Sequence, residues 1–216
     1  MSSFSRSPRV LRAALALMEP LSGRVQQIIP MQYNPDSLSR TLQAKGVQAD
    51  SGEHVEALRL KGPPVETIRL EAELDASEGL ANGDGQTVAL GLHPQLAALE
   101  ALLHPSSSAL LANQALAALG SIEILPMQGA LPLFIFGPQR IVPVRIQEFS
   151  ITEEAFDPAL NPIRARVALS LRVLSVDDLG FMQRGGHLFI SYLQNKEALA
   201  RKLTGGSLQA LGLTGI

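Results

Sequence analysis

A chain of 216 residues, 46% of them hydrophobic, is long enough for one domain with a self-sufficient core and room for an appendage. Eighteen Lys and Arg against twenty Asp and Glu leave a formal charge of −2, which gives no footprint for nucleic acid or for an anionic membrane. The absence of cysteine excludes a disulfide framework, thiolate catalysis and cysteine-ligated zinc, and no apolar run reaches the roughly 18 residues of a membrane span.

The first twelve residues are rich in Ser and Arg. The apolar run at 13–18 is closed by Glu19-Pro20 before it reaches the roughly 7–15 residues of a signal-peptide core. This reads as a solvated arm leading into a strand, with an organellar transit peptide as the alternative. Residues 11–18 and 25–33, joined by a linker with Pro, Ser and Gly, read as a hairpin that ends in the stiff turn Gln32-Tyr33-Asn34-Pro35-Asp36. Residues 41–61 are polar and weakly patterned and read as loop, with one further strand pattern near 56–60. After Gly62-Pro63-Pro64 comes a clean strand, with Ile68, Leu70, Ala72 and Leu74 inward and Arg69, Glu71, Glu73 and Asp75 outward. Asn82-Gly83-Asp84-Gly85 is a surface turn.

His93-Pro94 and His104-Pro105 stand where helices should begin, with proline in the first turn. The first helix, 94–103, should bury Leu96, Leu99 and Leu103. The second, about 105–119, capped by Ser106 or Ser107, is almost wholly Ala and Leu inside and should pack closely against something. Strands follow at 121–125 and 132–136.

The strongest pattern lies at 140–176. Ile163, Ala165, Val167, Leu169, Leu171 and Val173 share one face of a strand, and Arg164, Arg166, Ala168, Ser170 and Arg172 share the other. The preceding strand places Val142, Val144 and Ile146 in phase. It then slips by one residue so that Phe149 and Ile151 carry the apolar face onward, the signature of a β-bulge. The segment 153–162 between them is acidic and stiffened by Asp157-Pro158 and Asn161-Pro162, so it reads either as a docking loop or as an ordinary ordered turn. A last helix at about 186–203 carries a stripe of Leu188, Tyr192, Leu199 and Leu203, and the apolar end 211–216 should dock on this subunit or a neighbour.

Catalytic motifs do not emerge. The sequence holds no Gly-x-Ser-x-Gly elbow, phosphate-binding glycine loop or His-Glu-x-x-His motif. His93 and His104 read as capping or surface residues, and Glu71, Glu73 and Asp75 as a solvated strand face. No cofactor or metal site is expected. Gly185-Gly186 and Gly205-Gly206 read as hinges or caps.

Four stretches carry a resemblance that covers nearly the whole chain: Gln32-Tyr33-Asn34-Pro35-Asp36-Ser37-Leu38; the run from Leu60-Lys61-Gly62-Pro63-Pro64 to Ile68; Pro143-Val144-Arg145-Ile146 followed by Ser150-Ile151-Thr152-Glu153-Glu154-Ala155-Phe156-Asp157-Pro158 and the residues through Ala165; and the segment from Asp178-Leu179 to Glu197. They resemble the tube proteins of contractile injection systems, which are phage-tail-like particles. The resemblance implies a mainly β fold with flanking helices, an α+β class built on an antiparallel barrel or sandwich. It implies a tube-like domain over 1–180 with a helical insertion at about 93–119, then a C-terminal helix and docking tail over 181–216. It implies a non-catalytic structural subunit in a six-fold ring at the base of the inner tube, contacting inner-tube subunits, a trimeric spike or hub protein and baseplate components. Assembly would take place in the cytoplasm, in a particle open to later release. Many members continue into a LysM domain after the region matching Ile216, and the expectation here is a member without it. The expected assembly contacts are Tyr33, Asn34, Pro35, Glu153, Glu154, Phe156, Asp157, Asn161, Leu208, Leu211 and Ile216. The alternative is a small-molecule or peptide-binding β-barrel.

Overall fold

A computed structural model describes residues 11–46, 59–118, 129–203 and 206. Alternation of apolar and polar residues, with a slip in the first of the two, produces its two longest paired strands. They are numbered in chain order after β1 Ala14–Met18, β2 Val25–Pro30, β3 Leu38–Gln43, β4 Val65–Asp75 and β5 Leu131–Ile135; β6 is Ile141–Phe156 and β7 is Pro162–Val173. In β7, Ala165, Val167, Leu169, Leu171 and Val173 are buried, while Arg164 and Arg166 point outward. Ile68, Leu70, Ala72 and Leu74 of β4 are buried in the same phase. In β6 the pairing register shifts between Ile146 and Glu148, where the phase of the apolar residues slips.

All strand pairs are antiparallel, in the order β2-β1-β5-β6-β7-β4-β3. The sheet is open, which corrects the expected barrel: among the described residues no ladder joins β2 to β3. Alternation reports which face is buried, and it is silent on whether two edges meet. The sheet does curl. Gln32, just beyond β2, receives the Asp75 amide at 2.8 Å and donates to the Asp75 carbonyl at 2.6 Å, so one side-chain amide stands in for a strand pairing at the end of β4.

One core gathers Leu15, Ile68, Phe134, Val142, Val144, Val167 and Leu171. It is covered by Leu96 and Leu99 of α3 (His93–Glu100) and by Phe189 and Tyr192 of α6, the helix Arg184–Ala200. A second cluster, Ala16, Met18, Leu131 and Leu133, lies beneath Leu179 and Leu188. β1 and β5 are therefore buried on both faces, which explains why 13–18 reads as an unbroken apolar run.

Several expectations are corrected. β3 is unexpected, and its second half lies in the stretch 41–61 read as loop, because an edge strand with only Leu38 and Leu42 to offer carries no alternation. The helices α1 (Ser77–Ala81), α2 (Gly85–Leu90) and α5 (Val176–Leu179) are too short to show a period. Leu103 is exposed rather than buried because α3 ends at Glu100, before reaching it, and Leu199 and Leu203 are exposed because α6 turns only its N-terminal half to the core. No residue of α4, Ser107–Ala118, is buried, although its Ala and Leu content called for close packing. Ser106 does cap it, with its Oγ accepting from the Ala109 amide at 3.3 Å. The expected strand at 121–125 and the docking tail, including Leu208, Leu211 and Ile216, lie outside the described residues.

Candidate functional site

Half of the 153–162 segment is strand. β6 continues through Phe156, so Glu153, Glu154 and Phe156 are strand residues and only 157–161 form the loop. Pro162 opens β7, a position where a strand tolerates a residue without an N–H. The loop is braced by Asp157, whose carboxylate accepts from the Ala159 amide, the Asn161 amide and Asn161 Nδ2, each at 2.8 Å. The hydrogen bond from the Asn161 side chain, joined by those from the backbone, holds the Asp157 carboxyl below the usual aspartate value. Asp157 and Asn161 thus satisfy each other inside one subunit. Leu160 completes the turn at φ 67, a left-handed conformation that costs a bulky residue about 1–2 kcal/mol, and it is 76% exposed. Phe156, at the base of the turn, is 49% exposed and does not plug its own core. The hairpin tip rests on the helical segment. The Leu92 amide donates to the Pro162 carbonyl at 2.8 Å, and Gly91 (φ 54) passes so close to that carbonyl that no side chain fits.

The Tyr33-Asn34-Pro35 turn is built by the same device as Gln32. Asn34 Oδ1 accepts from the Ala13 amide and Asn34 Nδ2 donates to the Leu11 carbonyl, both at 2.8 Å, extending β1 beyond its last backbone pairing. Because Ala13 is buried, Asn34→Ala leaves its amide without a partner and should cost about 1–2 kcal/mol. Denaturant unfolding with an unchanged slope, together with faster exchange of the Ala13 amide, checks this. Tyr33 is half exposed, and with Pro35 it lines a cleft of about 620 Å³ shared with Glu71, Glu73 and Arg166.

Arg166 is the hub of that face. It lies 2.7 Å from Glu71, 3.2 Å from Glu154 and 3.8 Å from Glu73, on three neighbouring strands. Arg164 pairs with Asp75 at 3.4 Å. The fold therefore brings Tyr33, Asn34, Pro35 and Glu154 to one outward face, with Phe156 farther along the same hairpin. Glu153 is exposed on the opposite phase of β6. Surface ion pairs of this kind contribute little to stability individually, so their effect lies in fixing a charge pattern.

A second polar cluster escaped the sequence reading. Glu66 is 3% exposed and lies 2.7 Å from Arg40 on β3 and 2.9 Å from Lys196 on α6, with the Tyr192 hydroxyl donating to it at 3.1 Å. Burial pushes its carboxyl up, but the hydrogen bonds and charges of Lys196 and Arg40 outweigh this and hold it below the ordinary glutamate value. The available signal was phase: Glu66 sits on the inward face with Ile68 and Leu70, where an isolated carboxylate requires partners. Among the described residues no group of three or more His, Asp or Glu side chains is arranged to hold a metal ion, and His104 Nδ1 sits 3.1 Å from the Pro105 carbonyl. Neither the protein-family models nor the curated proteins contain a significant match to this chain.

Proposed function

We propose that this chain is a structural subunit of a contractile injection system, forming a six-fold ring at the base of the inner tube and joining it to a trimeric spike and the baseplate. The observation that carries this reading is the hairpin tip. It holds Phe156 and Leu160 in water on a loop already braced by Asp157 and Asn161, so little order remains to be gained on docking. An exposed aromatic on a preorganised loop is the form that interface anchors take. The patterned face around Arg166, which unites two of the stretches behind the resemblance, would set register against a neighbour. The two sheet edges, β2 and β3, lie at opposite ends of the strand order, as suits head-to-tail contacts that close into a ring. Assembly takes place in the cytoplasm, with inner-tube subunits, spike and baseplate components as partners.

The test is Phe156→Ala, made alone and with Leu160→Ser. Exposed positions of this kind change subunit stability by about 0.5 kcal/mol or less. The subunit should melt normally while complete particles, counted by electron microscopy in the producing cells, fall sharply. Unchanged particle numbers, or a large drop in melting temperature of the lone subunit, would overturn the assignment of this tip to assembly.

A further inference from the structure

Because the sheet stays open, a groove remains between β2, α3 and the inward faces of β4 and β7. Its volume is about 380 Å³, within the range of small-ligand pockets. Leu15, Ala72, Leu74, Val167 and Leu169 form its base, and Ile29, Met31 and Leu99 line its walls. One charged residue borders it: Arg12, exposed at the mouth, with Gln27 and Gln95. Among the described residues Arg12 makes no hydrogen bond or ion pair, and no carboxylate lines the groove.

We infer that this groove binds an unbranched aliphatic carboxylate, with its chain along the apolar base and its head group on Arg12. Charge sets the head group. A guanidinium flanked by amide side chains offers several donors in the fork geometry that a carboxylate accepts, and among the described residues no acidic side chain lines the groove to compete for it. The lining sets the tail. Its apolar side chains are aliphatic with no aromatic ring among them, which suits a polymethylene chain better than an aromatic ring. None of the hairpin-tip residues takes part, so binding and assembly are separable.

Calorimetric titration of the full chain with sodium decanoate tests this. Saturable one-to-one binding is expected, roughly tenfold weaker for octanoate because two methylenes leave the groove. Decylamine and 2-naphthoate should bind far more weakly than decanoate. Arg12→Ala should weaken decanoate binding roughly tenfold, as the loss of a charge-assisted contact does. Ala98→Phe, placed on the groove wall, should abolish binding at an unchanged melting temperature. Arg12 is exposed, so its variant reads the site even if the phenylalanine displaces α3. No saturable heat with decanoate, equal binding of decylamine, or wild-type affinity in Arg12→Ala would each overturn the inference.

Discussion

Glu66→Ala should lower the unfolding free energy of the isolated subunit by about 2–4 kcal/mol, because removing one partner of a buried ion pair strands the others. Arg40 and Lys196 both end on this carboxylate, and the Tyr192 hydroxyl, itself approached by Arg40 at 3.2 Å, donates to it. Removing the carboxylate leaves two cations facing each other across a buried phenol. It also loosens the joint between edge strand β3, β4 and α6. In a chain of this size a loss of that order lowers the melting temperature by roughly 2–4 °C per kcal/mol. Glu66→Gln keeps a hydrogen-bonding group but loses the charge, so it should fall between wild type and alanine. The same group dictates a pH dependence. Its folded-state carboxyl is held below the ordinary value of 4.5, so its stabilisation is fully present above that value and is lost as pH falls through the lower, folded one. Denaturant titrations should show wild type and Glu66→Gln converging as the pH drops below about 4.5. A constant gap down to the lowest workable pH would mean that the carboxylate is not the stabilising partner.

What the sequence discloses about this fold follows from how local each signal is. β4 and β7 are legible because a single period covers each strand and one face of each is buried, so Val167 in the core and Arg166 outside are consequences of pattern alone. The bulge in β6 is legible for the same reason, as a slip in that period. β3 is not, because its position at the edge is decided by pairing with β4 and leaves no face pattern of its own. α4 misleads in the opposite direction: alanine and leucine raise helix propensity as well as apolarity, and only tertiary context separates the two. The candidate face divides similarly. Asp157 and Asn161 were recognisable as a stiff turn, but that they spend their hydrogen bonds on each other depends on the backbone closing through Leu160. The Glu66 cluster draws residues 40, 66, 192 and 196 from three elements, and no local window contains them. Asn34 reads as a turn former beside proline, while its work is to pair with the backbone at Leu11 and Ala13.

Gly186→Val should destabilise the subunit by about 3 kcal/mol or more. Gly185-Gly186 read as a hinge or cap in sequence, yet both residues are buried where α6 starts against the α5 turn. A Cβ on Gly186 would collide with the Gly180 carbonyl oxygen and lie 3.1 Å from its carbon. Those are backbone atoms, so no rotamer change relieves the overlap, and overpacking of this kind costs about 1–3 kcal/mol or more even where side chains can yield. Gly180 cannot easily retreat. Its amide donates to the Val176 carbonyl at 2.8 Å, and α5 is fixed by a capping box between Ser175 and Asp178. The helix must therefore give way, which lifts Phe189 and Tyr192 from the core and pulls Lys196 away from Glu66. Gly85→Ala is the control, since nothing lies within 4 Å of its added carbon at the start of α2, and it should melt at or slightly above wild type. Thermal unfolding of both variants, read beside the double variant Gly186→Val with Glu66→Ala, separates the causes. Displacement of α6 already breaks the Lys196 contact, so the double variant should lose clearly less than the sum of the two single losses. Full additivity would mean that Gly186 acts through the local turn alone and that α6 stays seated on the core.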